Sequence, residues 1–301
     1  MTIRFERPVS HVARIAHAVG RFALVLLLIV AALHRFGLIA TPYFIALVIV
    51  SGGVAALALL MALFGLWRLW QVGALGGIAA TKGLFYSLVP IGVIAVAGYA
   101  YYTQPAIYDV STDLTSAPPW LEQPEADQIW LPRHAEITAA DREMQFEAYP
   151  GLTGRRYEGA IDRVYEAVKK VAAANRVKIV DASGLSNAEA DIEDQPAKSS
   201  DESAVADAPD IVPVPLPRPD ESEEEPAYAN ASDVLLQGDV TTLVLGLHFD
   251  VMIRLREGAE TTFVDMRVAS RYGQNDLGLS AAIADDYLRA LDAELLGIAG
   301  G

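Results

Sequence analysis

The chain has 301 residues, no cysteine and a formal net charge of −15, and 52% of its residues are hydrophobic. The length admits two domains. Without cysteine there can be no disulfide, thiolate metal site or cysteine nucleophile, and the acidic balance with no basic face argues against nucleic acid and other polyanions as partners.

Both excesses are local. Nearly all the surplus hydropathy lies before residue 102. Between Asn187 and Asn230 thirteen acids face two bases, so that segment holds −11 of the charge and the rest of the chain only −4.

Three stretches read as membrane spans, at about 16–33, 44–66 and 84–100. Phe44 to Leu66 carries no charge over 23 residues, enough at about 1.5 Å per residue to cross a bilayer core of roughly 30 Å. Its Ser51-Gly52-Gly53 suits close helix contact. The third span contains Pro90, which a membrane helix tolerates. The first contains Arg21, whose long side chain can snorkel to headgroups. Charge bias favours three spans over two. With three, the N-terminus and the Arg68/Lys82 loop are both cytoplasmic and only Arg35 lies outside, as the positive-inside rule prefers. Everything after Tyr102 is then expected in the periplasm of a Gram-negative cell. Trp67, Trp70, Tyr99, Tyr101 and Tyr102 fall where an interfacial aromatic belt belongs. The alternative is a cleaved signal, which Arg21, the apolar run and Ala31-Ala32 also resemble; it would leave two spans and invert the topology.

Residues 1–102 are thus read as a membrane anchor and 103–301 as an outer α+β domain. Residues 103–145 are proline-punctuated and read as an irregular arm. Arg155 to Arg176 has helical spacing, with Ile161, Val164, Tyr165, Val168, Val171 and Ala172 on one face. Val177 to Val180 reads as a strand. The acidic segment at about 187–230 holds seven prolines and is expected to be disordered, because it buries too little apolar area to offset its ordering entropy. Its Pro-Val-Pro-Leu-Pro-Arg-Pro core favours extended polyproline geometry, suited to a tether, although a plain solvated loop is the favoured reading. Val234 to Val240, Thr241 to His248, Phe249 to Arg256 and Thr261 to Ser270 have strand composition, with a hairpin turn at Glu257–Glu260. Phe263 and Val268 break simple alternation in the last strand, which implies either a bulge or burial on both faces. Leu277 to Leu296 closes the chain as a helix with Ile283, Tyr287, Leu288, Leu291 and Leu295 as its stripe. This order predicts an antiparallel sheet with helices packed on one face, a helix-grip-like arrangement being compatible.

Several pieces resemble a bacterial family called domain of unknown function 1499. They are Pro105 to Asp113 followed by Pro118-Pro119-Trp120, then Tyr149-Pro150, the helix around Val164 to Val168, Phe249 to Arg254, and Val264 to Gly278. The resemblance covers about 103–296, with the acidic segment as an insertion. The family's usual Asn and basic residue after the last glycine are replaced here by Ser280, Ala282 and Ile283. The resemblance implies an envelope protein and supplies no reaction.

The polar residues that exceed the needs of folding cluster in the closing segment. Arg267, Ser270, Arg271 and Asp276 can form an anion or polar-ligand site, with bidentate arginines and turn N–H groups as donors. The plainer reading, which is favoured, is a structural turn in which Asp276 pairs with Arg271 or accepts backbone hydrogen bonds at the start of the last helix. Asp109 and Asp113 can be paired carboxylates, but they sit among prolines and suit turn and cap chemistry. No further ligands are spaced for a metal, and no cofactor motif, nucleophile elbow, zinc-protease motif or phosphate loop occurs. His134 and His248 are isolated; His248 and Asp250 do not form a dyad, and Ser270 lacks a placed base. The leading expectation is a non-catalytic inner-membrane protein whose periplasmic domain binds an envelope partner or small ligand. The rivals are a hydrolase-like enzyme using Asp109, Asp250 or Asp276 with Arg271, and a structural subunit of a membrane complex. Convergence of Asp109, Asp250, Arg271 and Asp276 in one pocket would favour the enzyme or ligand site.

Overall fold

The computed structural model describes residues 10–72, 76–134, 136–185 and 233–297. The acidic segment expected to be disordered lies outside the described residues.

Three long helices come first: α1 (His11–Arg35), α2 (Thr41–Val72) and α3 (Gly77–Thr103). Each is long and apolar enough to cross a membrane, and each outruns its expected span at both ends, by between two and seven residues. Hydropathy marks only the lipid-facing middle of a helix, whereas backbone hydrogen bonding carries the helix past it. Small residues set the spacing. A Cβ on Gly20 would lie 2.7 Å from the Gly83 carbonyl oxygen, so α1 and α3 touch backbone to backbone there. Buried Ser51 of α2 donates to the Ala23 carbonyl of α1 at 2.8 Å, an interhelical bond of the kind that steadies membrane bundles.

The α+β part follows: β1 (Asp109–Ser111), α4 (Ala139–Ala148), β2 (Arg155–Glu158), α5 (Ile161–Ala174), β3 (Val177–Ser183), β4 (Val234–Thr241), β5 (His248–Glu257), β6 (Thr261–Ser270) and α6 (Leu279–Leu295). The strands form one antiparallel sheet in the order β1-β6-β5-β4-β3, and β2 shares the outer edge of β6 with β1. The last strand is buried on both faces without a register shift; the irregularity instead falls in β3, between Ile179 and Asp181. The α6 stripe is buried at Tyr287, Leu288 and Leu291, with Ile283 and Leu295 packed at its margin.

Three local readings change. The arm at 103–145 contains β1 and most of α4, the latter opened by a capping box between Thr138 and Asp141. Residues Arg155 to Glu158 are a strand, not the first turn of the helix, because β6 offers them an unpaired edge. Thr241 to His248 is mostly a turn rather than a strand, since residues 243–245 bend back and β5 starts at His248.

The pleat divides the sheet chemically. Val251, Ile253 and Leu255 of β5 and Val264, Met266 and Val268 of β6 join one core with Val164, Val168, Tyr287, Leu288 and Leu291 of α5 and α6. Alternating residues on the same strands send Asp250, Arg254, Asp265 and Arg267 to the other face, under the arm and α4.

Candidate functional site

Three ion-pair groups run across the polar face. In the first, Arg267 reaches both oxygens of buried Asp109, with Nε at 3.0 Å from each and Nη2 at 2.8 Å from Oδ2. Arg267 Nη1 also donates to the Pro118 carbonyl at 3.1 Å, and the Trp120 ring covers its guanidinium at 4.9 Å. Arg142 of α4 adds a second cation on Asp109 at 3.1 Å. Gln145 brackets the backbone of Ser111, accepting from its N–H at 3.1 Å and donating to its carbonyl at 2.6 Å. This group therefore clasps the arm and α4 to the sheet.

In the second group, Arg254 and Asp265 face each other across β5 and β6 and meet at 2.9 Å. Arg254 Nη2 also lies 2.9 Å from Asp113 Oδ2, and Arg256 lies 2.8 Å from Asp265. Asp113 keeps the turn role expected of it, with Oδ1 accepting from the N–H groups of Thr115 at 3.0 Å and Ser116 at 2.9 Å.

In the third, Asp239 and Asp250 are register partners on β4 and β5. Two carboxylates directly opposite repel, and Arg271 lies between them, 2.7 Å from Asp239 and 2.6 Å from Asp250. Hydrogen bonding to Asp250 raises the Arg271 guanidinium above its ordinary range despite burial. His248 donates from Nδ1 to Asp239 at 3.1 Å. Burial alone would raise the Asp239 carboxyl, but the His248 hydrogen bond and the Arg271 charge outweigh it and hold it below the usual carboxylate range.

Asp276 stands apart from all three. It is buried and accepts from the N–H groups of Gly278 at 2.9 Å and Ser280 at 2.7 Å, at the start of α6. Burial pushes its carboxyl up, and these bonds offset only part of that. Of the two partners foreseen for it, Asp276 takes the helix start; Arg271 goes to Asp250. Ser270 Oγ donates to the Tyr272 carbonyl at 3.1 Å. Ser270 is the register partner of Phe249, so the pleat turns it to the face opposite His248.

Asp109, Asp250, Arg271 and Asp276 therefore do not share one pocket: only Asp250 and Arg271 meet. Two recesses border them. A polar recess of about 30 Å³ among Asp109, Trp120, Arg133, His134 and Arg267 has room for about one water. A second cavity, of about 90 Å³, lies between the bundle and the sheet end. Thr41 and Ile45 of α2 form one wall; Leu247, His248, Phe249 and the turn from Ser270 to Leu279 form the other. Direct bonds frame this junction: His34 to the Leu245 carbonyl at 2.6 Å, Asn275 to the Tyr101 carbonyl at 3.2 Å and Trp130 to the Pro42 carbonyl at 3.2 Å. Among the described residues, no group of three or more His, Asp or Glu is placed to hold a metal ion.

Sequence reading missed Asp239, Arg254, Asp265 and Arg142 as partners. Period-two placement of Asp250, Arg254 and Arg256 on β5, and of Asp265 and Arg267 on β6, was the available signal.

A family model described as Protein of unknown function (DUF1499) matches residues 109–291. No curated protein matches the chain, nor does any solved structure.

Proposed function

This chain belongs to the DUF1499 family, and from that premise we propose that it is a non-catalytic binding protein of the bacterial envelope. Its N-terminus lies in the cytoplasm and its α+β domain in the periplasm, held at the inner membrane by α1 to α3. The sidedness is supported by Arg14, Arg68 and Lys82, which lie toward the end of the bundle that carries the N-terminus, with Arg21 near the middle of α1, while Arg35 lies at the other end. Alkaline phosphatase fused after Ala100 or within 187–230 is expected to be active; silence at both positions would reverse the topology.

The ligand is the apolar end of a membrane-derived amphiphile, held in the cavity between α2 and the Ser270–Leu279 turn. The observation that carries this is the cavity's position and lining: Ile45, Leu247, Phe249, Leu277 and Leu279 enclose about 90 Å³ beside a helix apolar enough to cross the bilayer. Pockets for whole small molecules run to roughly 300–1,000 Å³, so this one admits a chain end while the remainder stays in the leaflet. Binding is favoured over catalysis because Asp109, Asp239, Asp250 and Asp265 are each paired with arginine, a use of carboxylates that serves structure.

Mass spectrometry of lipid extracts from full-length protein in mild detergent tests the reading. Wild type is expected to carry a near-stoichiometric amphiphile, and Ile45→Trp, which fills the cavity, is expected to lose it while unfolding at a similar temperature. Equal lipid content in both proteins would overturn the proposal.

A further inference from the structure

Between β4 and β5 the chain makes a tight turn through Leu243, Val244 and Leu245. These three consecutive apolar residues are 60%, 81% and 38% exposed. Exposed apolar side chains scattered singly are ordinary on a protein surface, but a contiguous group at a loop tip marks a contact surface.

Its height is set by the bundle. The Leu243 carbonyl accepts from Arg35 Nε at 3.1 Å, and the Leu245 carbonyl from His34 Nδ1 at 2.6 Å. Both donors belong to the last turn of α1. Gly246 makes the approach possible: its φ is +72°, and an added Cβ would lie 3.2 Å from the Arg35 Cα. The loop backbone is thus fastened to the point where a membrane-crossing helix ends. Polar atoms of the loop face α1, which leaves the side chains of Leu243 and Val244 turned outward.

The same level carries other exposed apolar groups. Phe36 and Leu38 follow α1 directly and are 80% and 70% exposed. Trp130, half-exposed, donates to the Pro42 carbonyl at the start of α2, a position typical of an interfacial tryptophan. Arg35 is itself exposed and can pair with headgroup phosphate.

We propose that the Leu243–Leu245 turn is a membrane-inserting finger: it enters the headgroup and upper acyl region of the leaflet at the outer end of α1. The occupant of this patch is lipid, because the turn is bonded to the end of a helix apolar enough to cross a membrane and stands beside exposed Phe36 and Leu38. The α+β domain then touches the bilayer directly, besides being bonded to α1 and α2. This does not depend on the junction cavity being filled, nor on which side of the membrane the domain lies.

The natural absence of cysteine makes single-cysteine variants unambiguous. Full-length Val244→Cys and Ala259→Cys, each carrying an environment-sensitive fluorophore, are placed one molecule per phosphatidylcholine nanodisc containing lipids spin-labelled near the headgroup. Ala259 is exposed in the β5–β6 turn, roughly 30 Å along β5 from the bundle at about 3.3 Å per residue. The expected result is blue-shifted emission at position 244, quenched several-fold more strongly than at 259. Equal quenching at the two positions would overturn the proposal. So would a blue-shifted but unquenched probe at 244, which would mean that protein, not lipid, covers the turn. Circular dichroism of both variants, expected to match wild type, confirms that the readings come from folded protein.

Discussion

On one face of the sheet, Val251, Ile253, Val264 and Met266 meet the apolar stripes of α5 and α6. On the other, Arg254, Asp265, Arg267 and Asp109 meet an arm with little regular structure and a single short helix. The first contact is non-directional and graded with area. The second is directional: each charge is desolvated and must keep its partner. Carbonyl acceptors such as those of Pro118 and Ser116 suit arginine well, which is a physical reason for a charged rather than an apolar seam on that side.

The largest expected effect comes from breaking the charged side. Asp265→Ala leaves Arg254, whose side chain is 4% exposed, without its cross-strand counterion. Asp113 stays 2.9 Å from Arg254, so the expected loss is about 3 kcal/mol, the low end of the cost of breaking a buried pair, read from urea unfolding of the full-length protein in detergent. Replacing Arg254 and Asp265 together by Met and Leu is expected to recover part of that loss, since a buried pair contributes less than its rupture costs.

A smaller effect is expected on the apolar side. Ile253→Val, deleting one methylene from a fully buried side chain, should cost about 0.5–1.5 kcal/mol in the same measurement. A loss equal to that of Asp265→Ala would erase the distinction between the faces.

The smallest effect concerns pH. The Asp239 carboxyl is held below the ordinary aspartate value of 3.8, so its contribution is present above that value and lost as pH falls through the lower, folded one. Asp276 has the opposite sign: it is raised above 3.8, so its ionised form costs stability at neutral pH and that cost is relieved on mild acidification. Thermal midpoints of Asp239→Asn are therefore expected to converge with wild type only below pH 3.8. Those of Asp276→Asn should lack the wild-type gain between neutrality and that value. Parallel curves would remove the assignment.

How much of this was legible in sequence depended on range. The three long helices could be read because about twenty consecutive apolar residues have few alternatives, and the α5 and α6 stripes because a 3.6-residue period repeats several times. β1 and β2, at three and four residues, are too short for a period; they are strands because β6 has an open edge. The Thr241–His248 stretch has strand residues, but Arg35 and His34 take its carbonyls. Within the candidate site, Asp276 was readable as a helix-start acceptor because both donors lie within four residues. The partner of Arg271 was not, since Asp250 and Asp239 lie 21 and 32 residues away.

The sequence alone determined three apolar helices, an α+β remainder and a polar closing turn, because periodicity and hydropathy are properties of neighbouring residues. Only the tertiary structure decided that Asp109 belongs to Arg267, that Arg271 separates two facing carboxylates and that Leu243 to Leu245 rest on the end of α1. Those pairings depend on strand register and on how the sheet meets the bundle, and a side chain's partner across that distance leaves no mark on the residues beside it.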